Sequence, residues 1–241
     1  MSTTTKTLEG KTVLVTGANR GLGHALVEEA LSRGARRVYA ATRGPWAHAD
    51  ARVLPVILDV TDSAQIQAVV EKVGSLDILI NNAGVALPDD LGDRGAIERH
   101  LAVNLYGTWD VTQAFLPSLT QSRGAIVNVA SIASLAAMPV LPAYSISKAA
   151  AFSLSQSLRA LYAGRGVSVH AVMAGPMDTE MVRDLDIPKA PPESVARAVF
   201  DGVQRGEEEI FPDPVSETLA ESWRTGAAKG LERQNAAFVA A

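Results

Sequence analysis

The chain has 241 residues, no cysteine, and a formal net charge of -4 from 22 basic and 26 acidic side chains. Its length fits one α/β domain, and 47% hydrophobic residues are enough for a sizeable core. The charges are scattered and form no basic stripe, which argues against nucleic acid as a partner, and the lack of cysteine excludes disulfides and thiolate metal sites. The polar start, Met1 to Lys6, lacks the apolar core of a signal peptide, so we expect a cytoplasmic location.

The uncharged stretch 124–147 is long enough to raise the question of a membrane span. It is interrupted by Asn128, by several serines, and by Pro139 and Pro142. We therefore expect a buried strand, a loop and a helix start in this stretch, and no membrane partner.

The predicted elements alternate between short apolar strands and helices with one apolar face. The first strand, 11–16, ends in glycines and leads into a helix that carries Leu22, Leu26, Ala30 and Leu31. Such alternation predicts a parallel sheet of about seven strands covered by helices on both faces, which is a doubly wound α/β fold. In chain order, the later strands are predicted at 37–42, 53–59, 76–81, 125–130, 167–173 and 209–211, and the later helices at 64–73, 96–115, 142–162, from 191 toward 203, and through Val215, Leu219 and Trp223.

A glycine-rich turn joins the first strand to the first helix. Glycines there allow a tight turn and close approach of a pyrophosphate, while the helix N-terminus offers free N–H groups to an anion. The spacing, Gly-x3-Gly-x-Gly, differs from the commonest dinucleotide motif, and a sharp connection without a ligand is the alternative. The flanking strand and helix favour phosphate binding by the turn, whose residues are Gly17, Asn19, Arg20, Gly21, Leu22 and Gly23.

The end of the second strand indicates which nucleotide binds. A NAD site places a carboxylate there for the ribose 2′-hydroxyl, whereas this chain has Arg43. Arg43 and Arg20 could clamp a 2′-phosphate, and we expect no nearby acid to oppose them. NADP(H) is therefore the predicted cofactor, the alternative being that both arginines are ordinary solvated charges.

A second group of residues predicts proton transfer. Tyr144 and Lys148 are four residues apart and share one helix face, and Ser131, at the end of a predicted strand, can reach the same point. Together they supply a proton donor, a cation to lower its pKa, and a hydroxyl to hold an oxygen.

With these motifs in this order, the chain resembles the short-chain dehydrogenase/reductase family over essentially its full length. The resemblance rests on the glycine turn, on Asn81-Asn82-Ala83-Gly84 after the fourth strand, on Ser131, and on Tyr144-x3-Lys148. It implies a single-domain Rossmann fold over residues 1–241, with a substrate lid at 176–191 and a C-terminal helical tail at 214–241.

The resemblance also implies the catalytic roles. Tyr144 would be the general acid in reduction and the general base in oxidation, with Lys148 lowering its pKa and holding the nicotinamide ribose. Ser131 would orient the substrate oxygen, and Asn104 would support a water relay from Lys148.

Further cofactor contacts follow from the same resemblance. Asp59 and Val60 match the pair that contacts the adenine, although Asp59 could instead cap the helix that starts near Ala64. Near Ala174, which replaces the proline usual in the family, two residues remain available for the nicotinamide carboxamide. The full set of these contacts comprises Asp59, Val60, Gly175 and Thr179, together with Asn82, Ala83 and Gly84 as scaffold around the cofactor.

The substrate pocket is predicted to be apolar. A hydrophobic ketone or aldehyde, or the matching secondary alcohol, is therefore expected, with Arg183 the only nearby cation in the lid. Two alternatives stay open, namely a 3-oxoacyl carrier-protein reductase and a non-catalytic dinucleotide sensor. In the family, the helices carrying Asn104 and Tyr144 pair subunits, which implies a homotetramer or homodimer. The predicted lining residues are Leu135, Met138, Leu141, Met177, Met181 and Leu185.

The histidines predict no metal site, because they fall in different elements without ligand-like spacing. Asp89, Asp90 and Asp93 are interpreted as a solvated loop. The four histidines are His24, His48, His100 and His170.

Overall fold

The computed structural model describes residues 7–180 and 186–239. Seven parallel strands form one sheet in the order β3-β2-β1-β4-β5-β6-β7, which confirms the doubly wound fold. The strands are β1 (Thr12–Thr16), β2 (Arg37–Thr42), β3 (Val53–Ile57), β4 (Ile78–Asn81), β5 (Ala125–Val129), β6 (Ser168–Val172) and β7 (Glu209–Ile210).

Eight helices cover the sheet in the described part of the chain. A π-helical segment, Ala102–Gly107, joins α3 to α4, so the predicted helix 96–115 is one continuous rod from 94 to 122. The predicted tail is two helices, because Gly226 adopts an extended conformation between them. The helices are α1 (Gly21–Ser32), α2 (Ser63–Val73), α3 (Arg94–Leu101), α4 (Thr108–Ser122), α5 (Pro142–Tyr162), α6 (Pro192–Arg205), α7 (Pro214–Thr225) and α8 (Ala227–Ala236).

The core has a layer on each face of the sheet because side chains alternate along each strand. Val13 and Val15 of β1 pack in the layer that includes Leu26 of α1, whereas Leu14 packs in the opposite layer with Phe115 of α4. All five β1 residues are buried, as expected for a central parallel strand. None of the described helices is long and apolar enough to cross a membrane.

The strand order also places the site. The chain runs from β1 outward to β3 and then returns to β4 on the other side of β1. Ligands of such sheets bind outside the carboxyl ends of the strands at this reversal. The glycine turn follows β1, and the Asn-Asn-Ala-Gly segment follows β4, so the two predicted motifs lie side by side.

Candidate active site

The glycine turn has a shape that only glycine permits. Gly17 has a φ of 65°, in the left-handed region, and a Cβ on Gly23 would lie 2.0 Å from the Gly17 carbonyl oxygen. Arg20 is the N-cap of α1, and no side chain caps the helix. The first backbone N–H groups of α1 therefore lack a capping side chain. A row of such N–H groups fits the phosphates of a dinucleotide.

The segment after β4 holds the glycine turn in place. The Thr16 hydroxyl accepts hydrogen bonds from the backbone N–H groups of Asn82 and Ala83, both at 3.0 Å. The Asn82 amide donates to the carbonyls of Thr16 and Gly17, at 2.9 and 3.1 Å. Asn82 and Ala83 thus hold the segment after β4 against the glycine turn.

The two arginines do not stand free of acids, so that expectation was wrong. Arg20 forms an ion pair with Glu180, which lies in the segment after β6. Arg43 lies near enough to Asp59 to help lower the pKa of that carboxyl, after the larger effect of hydrogen bonds from Thr61. Both acids come from other strand ends, which the local sequence around each arginine does not show.

Asp59 does not cap a helix, so that alternative was also wrong. Its carboxylate accepts from the Thr61 N–H and hydroxyl at 2.9 and 2.7 Å. The cap of α2 is Asp62, which accepts from the N–H groups of Ala64 and Gln65. Asp59 therefore remains at the carboxyl edge of the sheet, close to Arg43.

Ser131, Tyr144 and Lys148 meet at the end of β5. The Ser131 hydroxyl accepts from the Ala133 N–H at 3.1 Å and hydrogen-bonds the Tyr144 side chain. Lys148 lies one turn further along α5, with its Nζ 5.7 Å from the Tyr144 ring centre and 2.7 Å from the Val129 carbonyl oxygen to which it donates. The structure thus brings together the three groups that the sequence predicted.

Burial changes the titration of both groups. Desolvation raises the pKa of Tyr144, and the hydrogen bond with Ser131 only partly opposes it. Desolvation also lowers the pKa of Lys148 to about 8. Both shifts have the same cause, since burial disfavours the charged form of each group.

Asn104 positions the neighbouring loop and helix. Its side chain accepts from the Val85 N–H and donates to the Val85 carbonyl, both at 2.9 Å, and it donates to the Ser147 hydroxyl at 2.9 Å. A Cβ on Gly84 would lie 3.1 Å from Asn104 Oδ1 and 3.6 Å from Lys148 Nζ, so both side chains face this glycine. Asn104 sits in the π-helical segment, a feature that is frequent at functional sites.

The segment after β6 reaches over the glycine turn. A Cβ on Gly21 would lie 3.1 Å from Thr179 Cγ2. The Gly175 N–H donates to Asp213 at 2.7 Å, and Asp213 also caps α7. The base of the predicted lid is closed by a parallel bridge between Met177 and Ala190.

The sequence analysis did not identify Asp213 and Glu180 as residues near the site, although the sequence around Asp213 contains a recognisable pattern. The Asp-Pro pair at 213–214 is typical of a helix start, but nothing local indicates that Asp213 also holds Gly175. Glu180 gave no signal at all.

The apolar residues predicted near the substrate lie only partly together. Leu135 and Trp223 pack against the same small buried cluster, in which the ring of Trp223 meets that of Phe152 edge-on at 5.3 Å. Met138 and Leu141 are partly buried at the entrance to α5. The remaining predicted lid residues, Met181, Arg183 and Leu185, lie outside the described residues.

Two of the histidines come together in space despite their separation in sequence. Ligand atoms of His24, Glu28 and His48 lie within 4.8 Å of one another. His100 has a structural role, since its Nδ1 contacts the Ala96 carbonyl and its Nε2 accepts from the Leu87 N–H.

Comparison with known proteins places the chain among short chain dehydrogenases. The family model for short chain dehydrogenases matches residues 11–189. The 2-(R)-hydroxypropyl-CoM dehydrogenase of Xanthobacter autotrophicus is 36% identical over 208 residues, covering 78% of this chain and 83% of the relative. The 3-oxoacyl-acyl-carrier-protein reductase FabG of Escherichia coli is 34% identical over 190 residues, covering 73% of this chain and 78% of the relative.

A solved structure agrees over more of the chain. The short chain dehydrogenase of Burkholderia cenocepacia, in complex with NADP, has a TM-score of 0.87 and 34% identity, and the match covers 95% of this chain and 98% of the other.

Proposed function

Because the chain belongs to the short-chain dehydrogenase/reductase family, we propose that it transfers hydride between NADP(H) and a hydrophobic ketone or aldehyde, or the matching secondary alcohol. The observation that carries this proposal is the contact between Tyr144 and Ser131, with Lys148 one turn away at the same strand edge as the glycine turn. A single domain with its lid at 176–191 would perform the reaction.

NADP(H) is supported by the two arginines and by the likeness to a protein solved with NADP. Arg20 and Arg43 follow neighbouring strands β1 and β2, where they can hold a 2′-phosphate. Gly17, Gly21 and Gly23 would admit the pyrophosphate, and Thr179 and Gly175 would face the nicotinamide end. When bound, NADPH supplies the hydride.

Tyr144 is the proposed proton donor for the substrate oxygen. Its raised pKa keeps the phenol protonated in the free protein, as a general acid requires. Ser131 would hold the oxygen of the carbonyl beside the phenol. Asn104 would fix the loop after β4, and Gly84 would leave room for Lys148.

Lys148 is proposed to stabilise the phenolate that remains after proton transfer. Bringing a tyrosine from about 10 to about 7 requires roughly 4 kcal/mol of preference for the phenolate. A unit charge at the distance of Lys148 Nζ from the Tyr144 ring centre, 5.7 Å, would supply about 3 kcal/mol at an effective dielectric of about 20. Because burial raises the pKa of Tyr144, the preference required is larger than that, so the ammonium would supply part of it and the oxidised nicotinamide, when bound, would supply a further part.

The test is NADPH oxidation, followed by absorbance, with a panel of hydrophobic ketones and aldehydes. We expect turnover by the natural chain and none by Tyr144→Phe, while NADPH affinity, measured by fluorescence titration, changes little. Tyr106→Phe is the matched control, because Tyr106 is 55% exposed and is not one of the predicted site residues. Substantial turnover by Tyr144→Phe would contradict the assignment.

The similarity to FabG supports a second candidate, reduction of a 3-oxoacyl group on a carrier. The same assay with 3-oxoacyl thioesters separates the two candidates. A clear preference for the thioester over simple ketones would favour the second, and tight NADPH binding with no turnover on either class would favour a dinucleotide sensor. A homodimer or homotetramer, as the resemblance implies, is tested by light scattering.

A further inference from the structure

A cluster of two imidazoles and one carboxylate lies at the surface of α1, and none of its three residues has a role in the proposed reaction. His24 and Glu28 are one turn apart on the helix, and His48 belongs to the connection between β2 and β3. His24 Nε2 is 3.6 Å and His48 Nε2 is 2.6 Å from Glu28 Oε1. His24 and Glu28 are exposed and His48 is partly buried.

Local structure holds the third member in place. Trp46 packs on the core beside α1 and contacts both imidazoles, with ring centres 6.0 Å from His24 and 5.6 Å from His48. The Asp50 N–H donates to His48 Nδ1 at 3.1 Å, which directs Nε2 toward Glu28. The connection is therefore folded against the helix with its imidazole edge presented to the carboxylate.

We propose that His24, Glu28 and His48 form a binding site for a divalent transition-metal ion of the Zn²⁺ or Ni²⁺ class. Two imidazoles and a carboxylate are a ligand set that suits these ions, and solvent can complete the shell at an exposed site. Ligand atoms on one tetrahedral zinc ion lie roughly 3.3 Å apart, since each bond is about 2.0–2.1 Å. The observed separations need only small side-chain movements to reach that value.

Charge and proton balance are consistent with an exposed site. Within the described residues, the recorded partners of the Glu28 carboxylate are the two imidazoles. Arg20, one turn before His24, is paired with Glu180. Because His48 Nδ1 accepts a hydrogen bond, the ring proton of the neutral imidazole sits on Nε2. Metal binding moves that proton to Nδ1 and breaks the bond from Asp50, so the affinity will be below that of a preformed structural site.

The ion would join α1 to the connection that begins with Arg43. It would restrain that connection and stabilise the folded chain by binding it in preference to the unfolded chain. This inference does not depend on the reaction proposed above.

The experiment uses the full chain without an affinity tag. Zn²⁺ binding is measured by calorimetry, and Ni²⁺ binding by quenching of tryptophan emission, because Trp46 touches both imidazoles. We expect saturable binding of both ions, recovery of emission when Zn²⁺ displaces Ni²⁺, and a higher thermal midpoint with Zn²⁺ that a chelator reverses. Trp46→Phe should remove the quench and keep the calorimetric signal.

Glu28→Gln and Glu29→Gln form the matched pair of variants. Both remove one carboxylate from α1, but Glu29 pairs with Arg33 and lies off the cluster. Since loss of an outer-shell partner alone costs on the order of 10–100-fold in metal affinity, Glu28→Gln and His48→Asn should each weaken Zn²⁺ binding by at least about tenfold, and Glu29→Gln should not. Equal binding by the two glutamine variants, or no saturable binding by the natural chain, would overturn the proposal.

Discussion

Replacing Lys148 with methionine tests the electrostatics of the site without any substrate. Lys148 is 6% exposed, and its burial lowers the pKa of the amine from 10.5 to about 8. At 1.36 kcal/mol for each pH unit, this difference corresponds to about 3 kcal/mol of destabilisation carried by the protonated amine in the folded state.

The sign of the pH dependence follows from proton binding. Below about pH 8 the amine is protonated in both states, and the whole cost is present. Between about pH 8 and 10.5 the unfolded chain keeps the proton that the folded chain has lost, so the free energy of unfolding rises with pH. The methionine variant lacks this contribution. We therefore expect the difference, natural chain minus variant, to be flat below about pH 8 and to rise by up to about 3 kcal/mol above it.

Urea unfolding at a series of pH values measures this difference. The part of the difference that does not vary with pH includes the loss of the hydrogen bond to Val129. The test is therefore the rise of the difference with pH. Lys72→Met is the matched control, because the exposed Lys72 amine also donates to a backbone carbonyl, that of Pro55 at 3.3 Å. A difference for Lys148→Met that stays constant through the window would show that the amine is not desolvated as described.

Three further substitutions test the scaffold by urea unfolding. Gly23→Ala places a methyl group 2.0 Å from a backbone oxygen, so it should cost about 1–3 kcal/mol or more and weaken NADPH binding. Gly44→Ala is its control, because no atom lies within 4 Å of the added methyl group, and it should change stability by less than about 0.5 kcal/mol. Asp213→Ala removes a buried cap and leaves the Gly175 N–H unpaired, so its cost should reach about 3 kcal/mol, against about 1 for the less buried cap Asp62→Ala. Lys229→Met removes one of two cations, the other being Arg159, from three carboxylates around a side chain that is 2% exposed, and should cost up to about 3–5 kcal/mol. Equal costs within the glycine pair or the aspartate pair, or a loss at Lys229 below about 1 kcal/mol, would contradict these explanations.

The fold and the main motifs could be predicted because their signals are local. The sequence predicts β1 as a buried strand because it is a run of β-branched and apolar residues, and the spacing of Tyr144 and Lys148 places both on one face of α5. The end of β3 was less certain, since the predicted strand ran to Asp59 but the structure ends it at Ile57. There the turn between Asp59 and Thr61 takes over, and the carboxylate bonds within that turn compete with sheet pairing.

The contacts that could not be predicted join segments that are distant in sequence. Glu180 meets Arg20, and Asp213 meets Gly175, because parallel strands bring their carboxyl ends to one edge of the sheet. No periodicity in the sequence gives the side-chain pairing at that edge. His48 and Glu28 are a similar case, since a loop places the imidazole on a helix 20 residues earlier in the chain.

Burial of Tyr144 and Lys148 disfavours the charged form of each group alone, but it strengthens the attraction between the two charged forms. Desolvation favours the neutral phenol and the neutral amine in the free protein, which the raised and lowered pKa values express. The same low dielectric strengthens the attraction between phenolate and ammonium, so each ion becomes more favourable when the other is present. The phenol of Tyr144 therefore resists ionisation in the free protein, whereas the Lys148 amine is already protonated below about pH 8. In the proposed reaction, that ammonium would stabilise the phenolate as soon as proton transfer creates it.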